Sequence, residues 1–122
     1  MAAPNMASIA TMTGDTDLVK LTTTSLTTIT ANAASSNKVY KVNTLIVANI
    51  DGTNSADVSV TVQRSATDYY ICSTVPVAAD SSLVVISKEN PIYLEEGDTI
   101  RAQASAVDDL DVICSYEIID DA

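Results

Sequence analysis

Carboxylates are the only chemically reactive groups this chain gathers densely. Glu95, Glu96 and Asp98 share one stretch, and Asp108, Asp109, Asp111, Asp120 and Asp121 crowd the C-terminal end. A pair of carboxylates can hydrolyse a glycoside when one of them keeps a raised pKa beside a sugar cleft lined by aromatics. With no Trp, no Phe and 5 Tyr the chain has little to stack a sugar against, and its acids fall in predicted turns and a polar tail where water keeps them ionised. Hard cations also take loop carboxylates. Asp51-Gly52-Thr53-Asn54 and the Asp108–Asp111 turn could each offer calcium ligands, but neither has the spacing of a calcium loop, so no metal and no other cofactor is expected.

The remaining side chains narrow the chemistry further. There is no His, which removes the usual general base and the commonest metal ligand. Ser and Thr abound without a recognisable base, since Lys20, Lys38, Lys41 and Lys88 are scattered, and no glycine-rich phosphate loop can be built from 3 Gly. Cys72 and Cys114 have no imidazole to ionise them; they sit at inward-looking strand positions and read as two small buried thiols rather than a disulfide. No catalytic residue is assigned, and a non-enzymatic protein is expected.

Charge points the same way. A net charge of −10, with only 6 Lys and Arg, repels phosphate backbones and anionic lipid, so neither nucleic acid nor membrane is an expected partner. An acidic surface also keeps a β-protein soluble at high copy number. The N-terminal stretch lacks the charged and apolar regions of a secretory signal, and no run approaches the roughly 20 apolar residues of a membrane span.

These residues are carried by a chain that alternates in steps of two. Its 122 residues suit one domain that buries roughly 65% of its unfolded surface. Residues 1–16, rich in Ala, Ser and Thr and without periodicity, read as an extended or disordered arm, and 17–122 as a single domain. Short strands are predicted in Leu18–Thr30, Val39–Ile50, Ala56–Arg64, Asp68–Val77, Ser82–Ser87, around Tyr93, from Thr99, and in Val112–Ile119. Val58, Val60 and Val62 face one way, and Ser59, Thr61 and Gln63 the other. The five residues from Asp51 to Ser55 read as a hairpin turn joining the strands on either side. About eight strands with no helix give an all-β fold, an antiparallel two-sheet β-sandwich. A jelly-roll-like connectivity is favoured over an immunoglobulin-like one.

The most specific local signal is Glu95-Glu96-Gly97-Asp98-Thr99-Ile100. Gly97 supplies a backbone angle other residues resist, and Asp98 accepts from nearby amides, making a structural turn. The segment Asn90–Arg101, followed by Asp111-Val112-Ile113-Cys114-Ser115-Tyr116-Glu117, resembles small β-sandwich virion proteins of marine tailed phages, those of cyanobacterial phages especially; VYKVNTLIVANIDGTNSADVSV and TVPVAADSSLVVISK are similar to the same group. The resemblance spans roughly Tyr40–Ile119. It implies a non-enzymatic virion component assembled in the host cytoplasm and present in many copies. That component is a capsid decoration (cement) protein bound to the major capsid protein, or alternatively a tail, neck, baseplate or fibre-associated protein. The chain has no coiled-coil stalk or glycine repeat of the kind fibres carry, which favours the capsid surface. A carbohydrate-binding module is the reading from another class.

Apolar residues on both faces of Leu45-Ile46-Val47 and Val84-Val85-Ile86 lead to the expectation of a homo-oligomer, a trimer, with Leu45 and Val47 at the subunit contact. Tyr69 and Tyr70 alternate on their strand, so one ring is expected in the core and the other at that contact.

Overall fold

The computed structural model describes residues 9–120, and within them the chain forms nine strands and no helix. The strands are β1 (Thr11–Lys20), β2 (Thr27–Ala31), β3 (Lys38–Asn49), β4 (Ala56–Arg64), β5 (Thr67–Val77), β6 (Ser82–Ile86), β7 (Ile92–Leu94), β8 (Thr99–Ala104) and β9 (Leu110–Asp120). One sheet runs β1-β9-β3-β6, with β7 also pairing β3; the other runs β2-β8-β4-β5, and every pairing is antiparallel. β6 and β7 occupy two stretches of the same flank of β3, at Leu45–Ala48 and Tyr40–Val42, so they act as one strand broken at Ser87–Pro91. With that strand counted once, eight strands divide between two four-stranded sheets in jelly-roll order.

The core is a slab of small branched side chains. Val42, Leu45, Val47, Val112 and Cys114 face inward from the first sheet, and Val58, Val60, Ile100, Ala102 and Ala104 from the second; all are essentially inaccessible to water. A buried Val or Leu contributes roughly 1.5–3 kcal/mol, so a stack of them replaces the aromatic core the composition lacks. The largest rings inside are Tyr40 and Tyr116, stacked with centroids 5.1 Å apart at one end of the slab.

Three sequence expectations change here. Residues 11–16, read as part of an arm, belong to β1, which pairs along its whole length with β9 from Thr11↔Asp120 to Lys20↔Asp111; cross-strand pairing supplies the order that side-chain periodicity does not advertise. Residues 1–8 lie outside the described residues. The Asp51–Ser55 turn does not make a hairpin, because β3 and β4 lie in different sheets and the turn carries the chain between them. Its local chemistry is as expected: Asp51 Oδ1 accepts from the amides of Thr53 at 2.8 Å and Asn54 at 3.2 Å. Finally, Leu45 and Val47 are at 0% exposure in the chain's own core and cannot line a subunit contact; of that trio only Ile46 turns outward.

The hairpin that does form joins β4 to β5 through Ser65 and Ala66, both with positive φ, 53° and 65°. Two central residues with positive φ are the mark of a tight turn that ordinarily uses Asn-Gly, and Ser-Ala carries a Cβ penalty at each position. Replacing Ser65-Ala66 by Asn-Gly is expected to raise stability by about 1 kcal/mol, read as a higher urea midpoint with an unchanged slope. An unchanged or lowered midpoint would show that these angles carry no strain.

Candidate functional site

The most elaborate polar cluster surrounds the turn between β7 and β8. Gly97 has φ of 86°, and the Asp98 amide returns to the Glu95 carbonyl at 3.0 Å. The turn is fastened to the chain leaving β2: the Gly97 amide donates to the Asn32 carbonyl at 2.8 Å and the Asn32 amide to the Asp98 carbonyl at 2.9 Å. Asp98 is 1% exposed. Its carboxylate accepts from Arg64 Nε at 2.8 Å and Nη2 at 2.6 Å, a two-pronged pairing, and from the Glu95 amide at 2.9 Å. Arg64 Nη2 also reaches Glu95 Oε2 at 3.0 Å. Sequence reasoning placed Gly97 and Asp98 in a structural turn with Asp98 on a local amide; it did not foresee Arg64, thirty-four positions away, because nothing in local spacing links the end of β4 to this loop.

Electrostatically the cluster is settled rather than poised. Burial alone would raise the Asp98 carboxyl, but Arg64 and the Glu95 amide outweigh that and leave its pKa below the ordinary value, while the same contacts hold the Arg64 guanidinium more firmly protonated than usual. Glu96 Oε2 accepts from the Asn37 amide at 3.1 Å, and its other oxygen is buried without a partner. An acid–base catalyst needs a group near neutrality; a carboxylate locked to arginine is a strut.

The remaining acids are dispersed. Asp111 pairs with Lys20 at 2.7 Å, Asp68 with Arg101 at 3.0 Å, and Asp51 caps its own turn. Among the described residues no group of three His, Cys, Asp or Glu comes together to hold a metal. Cys72 and Cys114 carry free thiols; Cys114 is fully buried and its thiol is pushed up to about 11 by burial, with Asp17 adding to the rise and a hydrogen bond from Thr30 opposing it. Both Tyr69 and Tyr70 are exposed, at 61% and 54%, where the sequence placed one ring in the core; they lie on the edge strand β5, with no strand beyond to cover either ring.

The two outer sheet faces differ in kind. Over β4 and β8 the face is polar: Thr61 donates to Asp68, Ser59 accepts from the Thr74 amide, and Gln103 donates to the Thr24 carbonyl. A shallow hollow of about 300 Å³ lies among Thr24, Asp57, Ser59, Thr74, Gln103 and Ser105. Over β1, β9, β3 and β6 the outer face instead carries a row of apolar side chains straight across the strands: Leu18↔Ile113, Ile113↔Ile46, Ile46↔Val84. Leu18 is 74% exposed and Val84 56%. Behind this face, between the sheets, Thr30 donates to Asp17 at 2.8 Å and the Tyr116 hydroxyl to Asp15 at 3.3 Å.

No family model and no curated protein matches the chain. Its fold is similar to that of a chain in the acid-stable capsid structure of Helicobacter pylori bacteriophage KHP30, with a TM-score of 0.55 over 93% of this chain and 91% of that one, at 9% sequence identity.

Removing Arg64 strands a buried carboxylate. Arg64→Ala is expected to cost about 2 kcal/mol, less than a fully enclosed ion pair because half of the Arg64 side chain faces water. Since folding lowers the Asp98 pKa, the stability it contributes is fully present above its ordinary value of 3.8 and is lost as pH falls through the lowered folded value. Asp98→Asn should therefore flatten the acid side of a plot of denaturation midpoint against pH; an unchanged acid limb would place the sensitive carboxylate elsewhere. At Gly97 a Cβ would meet nothing within 4 Å, so the cost of Gly97→Val is purely conformational, about 1–3 kcal/mol in thermal melts, and Gly97→Asn should recover part of it.

Proposed function

We propose that this chain is a non-enzymatic structural protein of a tailed-phage virion, a decoration (cement) protein that binds the outer capsid lattice and stabilises the head. The observation that carries the reading is the likeness of its jelly roll to a chain of a phage capsid structure over nearly the full length of both. The resemblance of Asn90–Arg101 and Asp111–Glu117 to phage virion β-sandwiches supports it from the side of sequence.

The physical design suits that role. A lattice-bound protein has to survive as a thin layer in many copies, and this one has an aliphatic core, a buried Asp98 paired with Arg64, and a Cys114 thiol shut away from solvent. A charge of −10 keeps unbound copies apart in a crowded host cell. Its partners on this reading are the major capsid protein and further copies of itself.

Mass spectrometry of purified particles, with heads and tails separated on a gradient, tests the assignment. Recovery in the head fraction, in an amount comparable with the major capsid protein, is expected, together with a lower rupture temperature for heads lacking it. Recovery with tails alone would transfer the protein to the tail, neck or baseplate, and its consistent loss from purified particles would overturn the virion reading.

A further inference from the structure

The outer face of the β1-β9-β3-β6 sheet is already covered at one end, where Val39 and Ile119 are buried within a single copy, but over Gly14–Lys20 and the residues in register with it the side chains lie open in an ordered arrangement. Residues in register across its four strands form rows. One row is Leu18, Ile113, Ile46, Val84, and two pairs further along the strands lies another, Gly14, Glu117, Lys41, Tyr93. Between them Thr16, Ser115 and Thr44 make a row of hydroxyls. Consider a two-fold axis lying in this face, along the strands and between β9 and β3. It lays β1 of one copy over β6 and β7 of the other, and β9 over β3. Leu18 then meets Val84 of the second copy, Ile113 meets Ile46, Ser115 meets Thr44, Glu117 meets Lys41, and the ring of Tyr93 lies over Gly14. Every opposed pair is complementary: apolar on apolar, hydroxyl on hydroxyl, acid on base, and a ring on a position that carries no side chain and has nothing within 4 Å of where a Cβ would be.

Charge selects the same occupant. Two copies of a chain at −10 repel each other over most orientations. The outward-facing charged residues on the strands of this sheet are Lys20, Lys41, Asp111 and Glu117, two positive and two negative, which sum to zero. Lys20 already pairs with Asp111 at 2.7 Å; Lys41 makes no ion pair among the described residues, and Glu117, its cross-strand neighbour, accepts from Asn43 Nδ2 at 2.8 Å through one oxygen. The open part of the face, about four strands wide and about seven residues long, covers about 450 Å² per copy, so a pair buries about 900 Å², the size of a weak, reversible interface. We propose that a second copy of this chain docks on this face, sheet against sheet about that two-fold axis. The proposal stands apart from the virion reading, and it replaces the trimer expected from sequence with a symmetric pair.

Sedimentation equilibrium of the full chain should show a monomer–dimer equilibrium in the range of about 100 μM. Lys41→Glu alone sets like charges across the axis, as does Glu117→Lys alone, and each should weaken the dimer about tenfold or more. An equimolar mixture of the two variants should dimerise, because in the mixed pair both contacts across the axis again join an acid to a base. Restoration in the mixture separates a contact across the axis from a folding defect within one chain. As an independent check, Leu18→Cys and Val84→Cys are combined in one chain with Cys72→Ser. The two sites lie three strand spacings apart within one chain, about 14 Å, and about 10 Å apart across two packed sheets, so a bis-maleimide with a reach of about 8 Å between sulfurs should join two copies and not the two sites of one chain. A protein that stays monomeric at about 1 mM, a trimer, or a mixture that fails to restore association would overturn the proposal and assign this face to a different occupant; none of these outcomes bears on whether the chain is recovered from virions.

Discussion

A sandwich whose chain passes repeatedly between its two sheets must carry peptide groups through the rim of its core, where an N–H or C=O left without a partner costs about 1–3 kcal/mol. This chain makes six such passages, and they come in pairs. Asn32, 1% exposed, donates from its side-chain amide to the carbonyls of Lys38 and Leu94, tying the β2–β3 passage to the β7–β8 passage. Asn49, 2% exposed, donates to the carbonyls of Asn54 and Val77 and so ties β3–β4 to β5–β6. Leu21 closes the third pair through its own backbone, donating to the Leu110 carbonyl and accepting from the Asp108 amide. Two amide side chains and one buried leucine hold the connections that let nine strands share one core.

The Arg64–Asp98 pair extends this scheme at one end. Because Gly97 and Asp98 are bonded to Asn32, and Asp98 to Arg64, the end of β4, the turn before β8 and the chain leaving β2 become one unit. The two broad outer faces lie apart from this unit and differ in kind: one is polar with its own cross-strand hydrogen bonds, and the other carries the apolar row from Leu18 to Val84.

Much of the architecture was legible because alternation reports directly on burial: Val58, Val60 and Val62 read as one face, and Val112, Cys114 and Tyr116 as another, and both readings hold. Where the reading failed, the cause was non-local. Leu45 and Val47 belong to a strand flanked on both sides, so an outward Ile46 between them made a run that looked two-faced. The Ser65-Ala66 turn lacks the Asn-Gly signature, and β1 has no apolar rhythm, its order arising from a strand about a hundred residues away. Gly97 and Asp98 were legible as a turn because glycine before aspartate between two apolar runs has a local cause; Arg64 and Asn32 were not, because their partners are fixed only by the fold. The contact rows across β1, β9, β3 and β6 were likewise invisible, since cross-strand register does not exist until the sheet does.

The position of β9 has a consequence for how such a protein is made. It lies between β1 and β3, pairing one along Thr11–Lys20 and the other along Lys38–Asn49. As a ribosome releases the chain, β1 and β3 therefore emerge with a gap between them that nothing already synthesised can fill. The second sheet is incomplete until β8 appears, and the first until Leu110–Asp120 clears the exit tunnel. Until then half the core has no lid, and its Val and Leu side chains are open to other nascent chains. Folding is then a late, cooperative event that waits on the last strand, slow for the chain's length because its key pairings are its most distant ones. A shortened product lacking β9 would not be a smaller version of the protein: β1 would have no partner in its sheet, β3 would be left with β6 and β7 alone, and the core would be open.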